Sequence, residues 1–117
     1  MIKSAYKSLI KKFNLSKDQL RELKEKLEEQ KICKGPFFEE GKMCPNTTAL
    51  SIKEKRNEFE SSDEVVKLLN KYGVSRIELW KFYCLFDLPA MISKNFFSKA
   101  LREMRFAVDE LIRERSA

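Results

Sequence analysis

The stretch KLLNKYGVSRIELWKFY, from Lys67 to Tyr83, decides how this sequence is interpreted. It predicts two short helices joined by a tight turn at residues 73–75, the arrangement of a helix-turn-helix. Gly73 can supply the positive φ that such a turn needs, and Val74 can fill the angle between the helices. The question is whether the second helix faces DNA or belongs to the core.

Two features of this stretch argue against DNA reading. Leu69 stands where the close approach of the two helices usually requires a small residue. The outward face of the second helix would carry Ile77, Trp80 and Cys84, whereas a recognition helix needs hydrogen-bonding groups there. Because IELWKFYCLFDL is apolar nearly all round, we expect a central buried helix near Trp80. A working DNA-reading motif remains the alternative.

The flanking sequence is helical throughout, with no competing strand pattern. Ser16, Ser61 and Ser75 are each followed three residues later by Gln or Glu, the capping-box signature of a helix start. Pro89 is expected to begin the last and longest helix. The sequence therefore predicts a single all-α domain over 1–117, a compact bundle of about six helices. It would comprise a helical hairpin (1–32), a loop (33–46) and a helical core (47–117).

Composition narrows the function classes. Hydrophobic residues make up 43% and charged residues 36% of the 117 residues, which is typical of a folded globule. The chain has no histidine, so it lacks the commonest general base and metal ligand. No constellation of nucleophile and base replaces it, and we predict a protein that is not an enzyme and holds no cofactor and no metal.

The first residues contain no apolar stretch typical of a signal peptide, and no window is long and apolar enough to span a bilayer. The three cysteines, an odd number, are more typical of reduced thiols than of a disulfide framework. These features predict a cytoplasmic protein without a membrane partner.

Basic residues favour an acidic partner, because the formal net charge is +6. If the two terminal helices pack side by side, their cations would form one stripe that neutralises phosphates. Nucleic-acid binding is therefore the leading prediction, with a merely solvated surface as the plainer alternative. The predicted contact residues are Lys3, Lys7, Lys11, Lys12, Arg76, Lys81, Lys94, Lys99, Arg102 and Arg105.

A protein-interaction or assembly subunit is the second prediction, with a protein partner or a homodimer. The loop CKGPFFEEGKMCPN is long for a compact domain, and Phe37, Phe38 and Met43 could bind a partner or fold back over the core. The last helix offers either a core stripe or a second interaction surface, since its apolar residues repeat at coiled-coil spacing. These are Phe97, Leu101, Met104, Val108 and Leu111.

A thiol redox or metal protein is the third possibility. Cys33 could approach Cys44, and Cys44 precedes a helix start, where amide dipoles are expected to lower its pKa. Three cysteines without histidine fall one ligand short of a tetrahedral zinc site.

Overall fold

The structure, a computed structural model, describes residues 1–116 and is built almost entirely of helices. These are α1 (Ile2–Lys11), α2 (Lys17–Lys26), α3 (Pro45–Glu54), α4 (Ser62–Lys71), α5 (Arg76–Phe82), α6 (Leu88–Ile92) and α7 (Lys94–Ser116). A π-helical turn, Tyr83–Asp87, joins α5 to α6 without a break. Counting that continuous segment as one helix gives six in the described chain, and the predicted all-α bundle is confirmed.

Two of the three predicted capping boxes are complete. The Ser16 hydroxyl accepts from the Gln19 amide at 3.1 Å, and the Gln19 side chain accepts from the Ser16 amide at 2.9 Å. Ser75 and Glu78 make the same reciprocal pair at the start of α5. At α4, Ser61 accepts from the Glu64 amide, but the Glu64 carboxylate accepts from the Glu60 amide instead. The third box is therefore only half formed.

The long helix α7 has the two N-terminal helices packed along it. Lys7 bonds Glu110 at 3.0 Å and Lys11 lies 3.9 Å from Glu114, so residue numbers rise together and α1 runs parallel to α7. In α2 the order is reversed, because Lys24 pairs with Asp109 and the carbonyl oxygen of Leu27 accepts from Arg105. The predicted N-terminal hairpin thus packs as a unit on α7.

The apolar seam of α7 lies in the core, which draws on all the helices. All five of its residues (Phe97, Leu101, Met104, Val108 and Leu111) are buried. The predicted assembly surface on this seam is therefore wrong. The same spacing of apolar residues also suits the core of a single chain. Here α1 and α2 cover the face of α7 that a second helix would cover in a coiled coil.

Three predicted boundaries differ from the structure. The 33–46 loop contains a small hairpin, Phe38–Glu39 paired with Lys42–Met43 around a Glu40–Gly41 turn in which both residues have positive φ. The third helix begins at Pro45, with the Cys44 sulfur accepting the cap hydrogen bond. Pro89 lies in the short α6, and the last helix begins at Lys94.

The prediction of a central buried helix near Trp80 is wrong. Phe82 and Phe86 are buried, but Trp80 is 65% exposed and Ile77 68% exposed. The segment 76–92 lies at the surface with one apolar face inward and a second apolar face outward. A helix that is apolar on both faces has the composition of an enclosed helix, although only one of its faces is buried here.

Candidate functional site

A groove of about 1160 Å³ opens between α4, α5 with its π-helical turn, and the first turn of α3. The helix-turn-helix geometry creates it: Val74 is fully buried in the angle, and Gly73 has φ +89° at the turn. Lys12 fastens this turn to α1 by donating to the Gly73 carbonyl oxygen at 2.9 Å and to Glu78. The turn is therefore tied to the N-terminal hairpin.

The floor of the groove holds two buried polar side chains, Asn46 and Asp87. They are only 4% and 5% exposed, and Oδ1 of each has no hydrogen-bond partner within the described chain. Both residues line the groove. Buried polar atoms are nearly always paired in proteins, so two orphaned acceptors in one cavity need an explanation.

Burial also changes the protonation of Asp87. Desolvation raises the pKa of its carboxyl group from 3.8 to about 7. No ion pair compensates it within residues 1–116, so near neutral pH the group is divided between its neutral and charged forms.

One wall of the groove is aromatic. The rings of Trp80 and Tyr83 stack with centroids 5.6 Å apart and planes 18° apart, and Phe37 also lines the groove. Four carboxyl groups line the groove with two cations, Lys67 and Arg76. The acids are Glu60, Asp63, Glu64 and Asp87. Because Glu64 is paired with Arg56 at 2.9 Å, the other groups leave one excess negative charge when Asp87 is ionised.

Beside the groove, the outward face of 76–92 carries an apolar stripe. Five of its members follow at three- and four-residue steps, the spacing that places side chains on one helix face, and Ile92 adjoins Met91. All are exposed, and we call this set the apolar stripe: Ile77, Trp80, Cys84, Leu88, Met91 and Ile92. Its length along the helix distinguishes it from the scattered single hydrophobic residues of an ordinary surface.

The predicted cationic stripe across the two terminal helices is wrong. The helices do pack together, but the acidic side of α7 faces α1 (Glu110 and Glu114), and it neutralises Lys3, Lys7 and Lys11. Hydrogen bonds from Lys3 and Lys7 lower the pKa of Glu110 to about 2.

The other seven predicted contact residues are divided among three situations. Lys12 pairs with Glu78 and donates to the Gly73 carbonyl oxygen. Arg105 donates to the Leu27 carbonyl oxygen at 2.6 Å and so caps α2. The remaining five are exposed and make no ion pair within residues 1–116: Arg76, Lys81, Lys94, Lys99 and Arg102.

The loop side chains predicted to bind a partner mostly fold back. Phe37 packs against the core, Met43 is half-buried in the hairpin, and Phe38 alone of the three is exposed, at 38%. A larger apolar surface lies on the 76–92 segment instead.

The thiols of Cys33 and Cys44 are free and buried, and close enough to influence each other's titration. Burial raises the pKa of Cys33 to about 12 and that of Cys44 to about 11. The predicted lowering at Cys44 is wrong because desolvation outweighs the helix amides. Such thiols are poor nucleophiles near neutral pH. Within residues 1–116 no cluster of three or more acidic or cysteine side chains could hold a metal ion.

Sequence reasoning missed Asn46 and Asp87. The available signal was Asp87 itself, a carboxylate within the apolar run LWKFYCLFDL, where burial without an ion-pair partner is unusual. Asn46 gave no such signal, because it looked like an ordinary cap residue.

Comparison with known proteins gives no family. No protein-family model, curated protein or solved structure matches the chain. None of the helices in the described part of the chain combines the length and hydrophobicity needed to cross a membrane. Function must therefore be argued from the groove and the apolar stripe.

Proposed function

We propose that this protein is a non-enzymatic helical interaction module that docks a partner protein through the apolar stripe. The observation that carries this proposal is the exposure of six apolar side chains along one face of 76–92. Monomeric proteins rarely leave a continuous apolar surface of this kind uncovered unless it is used. Trp80, the second member of the stripe, is of the residue type that most often dominates binding energy at interfaces.

Charge defines the partner. Arg76 and Lys81 border the stripe on α5, and Lys94 follows its last residue. A complementary surface would be an apolar groove rimmed by carboxylates. A second copy of this chain fits less well, since a symmetric contact would bring the same cations together.

Nucleic acid remains a second candidate, supported by a different observation. Trp80 lies between Arg76 and Lys81 on one exposed helix, and aromatic rings beside cations provide stacking platforms for single-stranded bases. A complex with nucleic acid would leave the apolar residues of the stripe from Leu88 onward without a contact. A protein partner therefore explains more of the stripe.

Trp80 provides the test, because it is the only tryptophan. A photo-crosslinking phenylalanine analogue at position 77 should capture the partner from extracts of the source cells, whereas the same analogue at the exposed Phe106, off the stripe, should not. The purified partner should then shift Trp80 emission to the blue. Its affinity should fall at least about tenfold in Ile77→Asp but stay unchanged in Phe106→Asp.

Oligonucleotides and anionic vesicles are titrated in parallel. Tighter binding to single-stranded nucleic acid, falling steeply with salt and abolished in Lys81→Gln, would replace the protein partner by the second candidate. Equal capture from positions 77 and 106 would refute docking through the stripe.

A further inference from the structure

The two unpartnered acceptors on the groove floor are independent of the apolar stripe and point to a ligand. Asn46 and Asp87 come from different elements, α3 and the π-helical turn, yet both lie at the same cavity with Oδ1 unbonded. Single-turn π-helices frequently occur at functional sites. An occupant that satisfies both atoms must bring at least two hydrogen-bond donors.

The surroundings define the charge of that occupant. Apart from Glu64, which pairs with Arg56, three carboxyl groups stand against two cations among the lining residues, and the stacked Trp80–Tyr83 pair presents aromatic surface. Aromatic faces and carboxylates together attract organic cations. An anion would find little at the start of α3, because Pro45 has no amide hydrogen and the Thr47 and Thr48 amides already donate to Cys44.

We propose that the groove binds a small organic cation with several N–H donors, a primary ammonium or a guanidinium group, held by the side chains of Asn46 and Asp87 against the Trp80–Tyr83 wall. Because each Oδ1 exposes less than 1 Å² in this structure, the two side chains rotate toward the cation when it binds. Methylguanidinium has the right shape, since its planar fork can donate to two acceptors at once. The cation could be free in solution or could belong to an arginine or lysine side chain.

The charge state of Asp87 makes binding depend on pH. Its pKa of about 7 means that the carboxylate needed for the cation is complete only in mildly alkaline solution. The neighbouring thiols, Cys33 and Cys44, stay neutral there because burial raises each pKa above 10. The other charged groups lining the groove are Glu60, Asp63, Glu64, Lys67 and Arg76.

The experiment follows the Asn46 carboxamide and the Trp80 indole by ¹H–¹⁵N NMR at pH 8. Methylguanidinium chloride should shift both signals saturably, with a Kd of roughly 1 mM for so small a ligand. Tetramethylammonium, which has the charge but no donors, should bind at least about tenfold more weakly. Agmatine compared with Nα-acetyl-arginine amide separates a free cation from a side chain on a peptide, and saturable binding of either supports the site.

Variants locate the site. Asp87→Asn should weaken methylguanidinium binding by about tenfold to a hundredfold, as expected for loss of a charged hydrogen bond. The matched control, Asp18→Asn, removes an equal charge from an exposed position on α2 and should change nothing. Ile77→Asp alters the stripe but not the floor and should leave binding intact.

Three outcomes would overturn the proposal. One is the absence of saturable shifts with the wild-type protein up to about 20 mM methylguanidinium, far above the expected Kd. Another is equal affinity for tetramethylammonium. The third is an affinity that stays constant in the wild-type protein between pH 6 and pH 8, a measurement that stands even if Asp87→Asn fails to fold.

Discussion

Replacing Asp87 with asparagine should make the protein more stable above neutral pH while changing little in acid. The carboxyl group titrates near 3.8 in an unfolded chain and near 7 in the fold. Between those values the folded state binds a proton that the unfolded state has released, so the free energy of unfolding falls as pH rises. Above about pH 7 the loss is complete.

The magnitude follows from the separation of the two pKa values, which is roughly three. At about 1.36 kcal/mol per pH unit this corresponds to about 4 kcal/mol, and solvent screening inside the open groove reduces it toward about 2 kcal/mol. Asparagine resembles the protonated carboxyl in size and polarity. The variant should therefore match the wild-type protein near pH 4 and exceed its stability by 2–4 kcal/mol at pH 8, roughly the range just derived.

Urea denaturation followed by far-ultraviolet circular dichroism at several pH values measures this difference directly. The helical signal is the better probe here, because Trp80 is already 65% exposed in the folded state. The comparison uses only the difference in free energy of unfolding between the wild-type protein and Asp87→Asn, so that the contributions of other titrating groups cancel. A difference that stays constant from pH 4 to pH 8 would show that Asp87 is not desolvated and would refute the reasoning.

Three further outcomes are expected. Trp80→Ala should lower the free energy of unfolding by less than about 1 kcal/mol. Phe86 is fully buried on the same segment, and Phe86→Ala should lower the free energy of unfolding by about 3–5 kcal/mol. Similar values for the two variants in urea denaturation would contradict the exposed orientation of Trp80. Glu110→Gln should lower the free energy of unfolding at pH 7 and reduce its loss between pH 4.5 and about pH 2. The depressed pKa of Glu110 stabilises the fold above that range, and this contribution disappears as acid protonates the group. An unchanged acid-unfolding curve would argue against the pairing of Glu110 with α1. Ellman's reagent at pH 8 should modify Cys84 rapidly and the other two thiols only on unfolding, and three equally fast thiols would be incompatible with the burial of that pair.

Local signals in the sequence predicted the helices well. The capping boxes at Ser16 and Ser75 depend on side chains three residues apart, and both formed as expected. The glycine turn at Gly73 is equally local. Such features are settled within one or two helical turns, so no knowledge of the rest of the chain is needed.

Features that depend on distant residues were missed. Glu110 and Glu114 lie about a hundred residues from the lysines that they neutralise, and nothing in the sequence shows which side of α7 faces α1. The predicted burial of Trp80 is wrong for a related reason. The sequence of a segment with two apolar faces does not indicate which face packs against the core. The groove floor combines Asn46 with Asp87 only after α3 and the π-helical turn have packed.

The π-helical turn Tyr83–Asp87 makes the effect of a deletion depend on where in this segment it falls. A π turn accommodates one residue more than an α-helical path of the same span. Deleting a single residue there would therefore leave enough chain for a regular α-helix, and Ala90 would keep its place in the core. Deleting a residue from α5 would instead rotate everything downstream by about 100°, the angle between successive residues of an α-helix, so that either Asp87 would leave the groove or Ala90 would leave the core. Single-residue deletions should therefore be tolerated in the π-helical turn and in the Glu40–Gly41 turn, but not in α5.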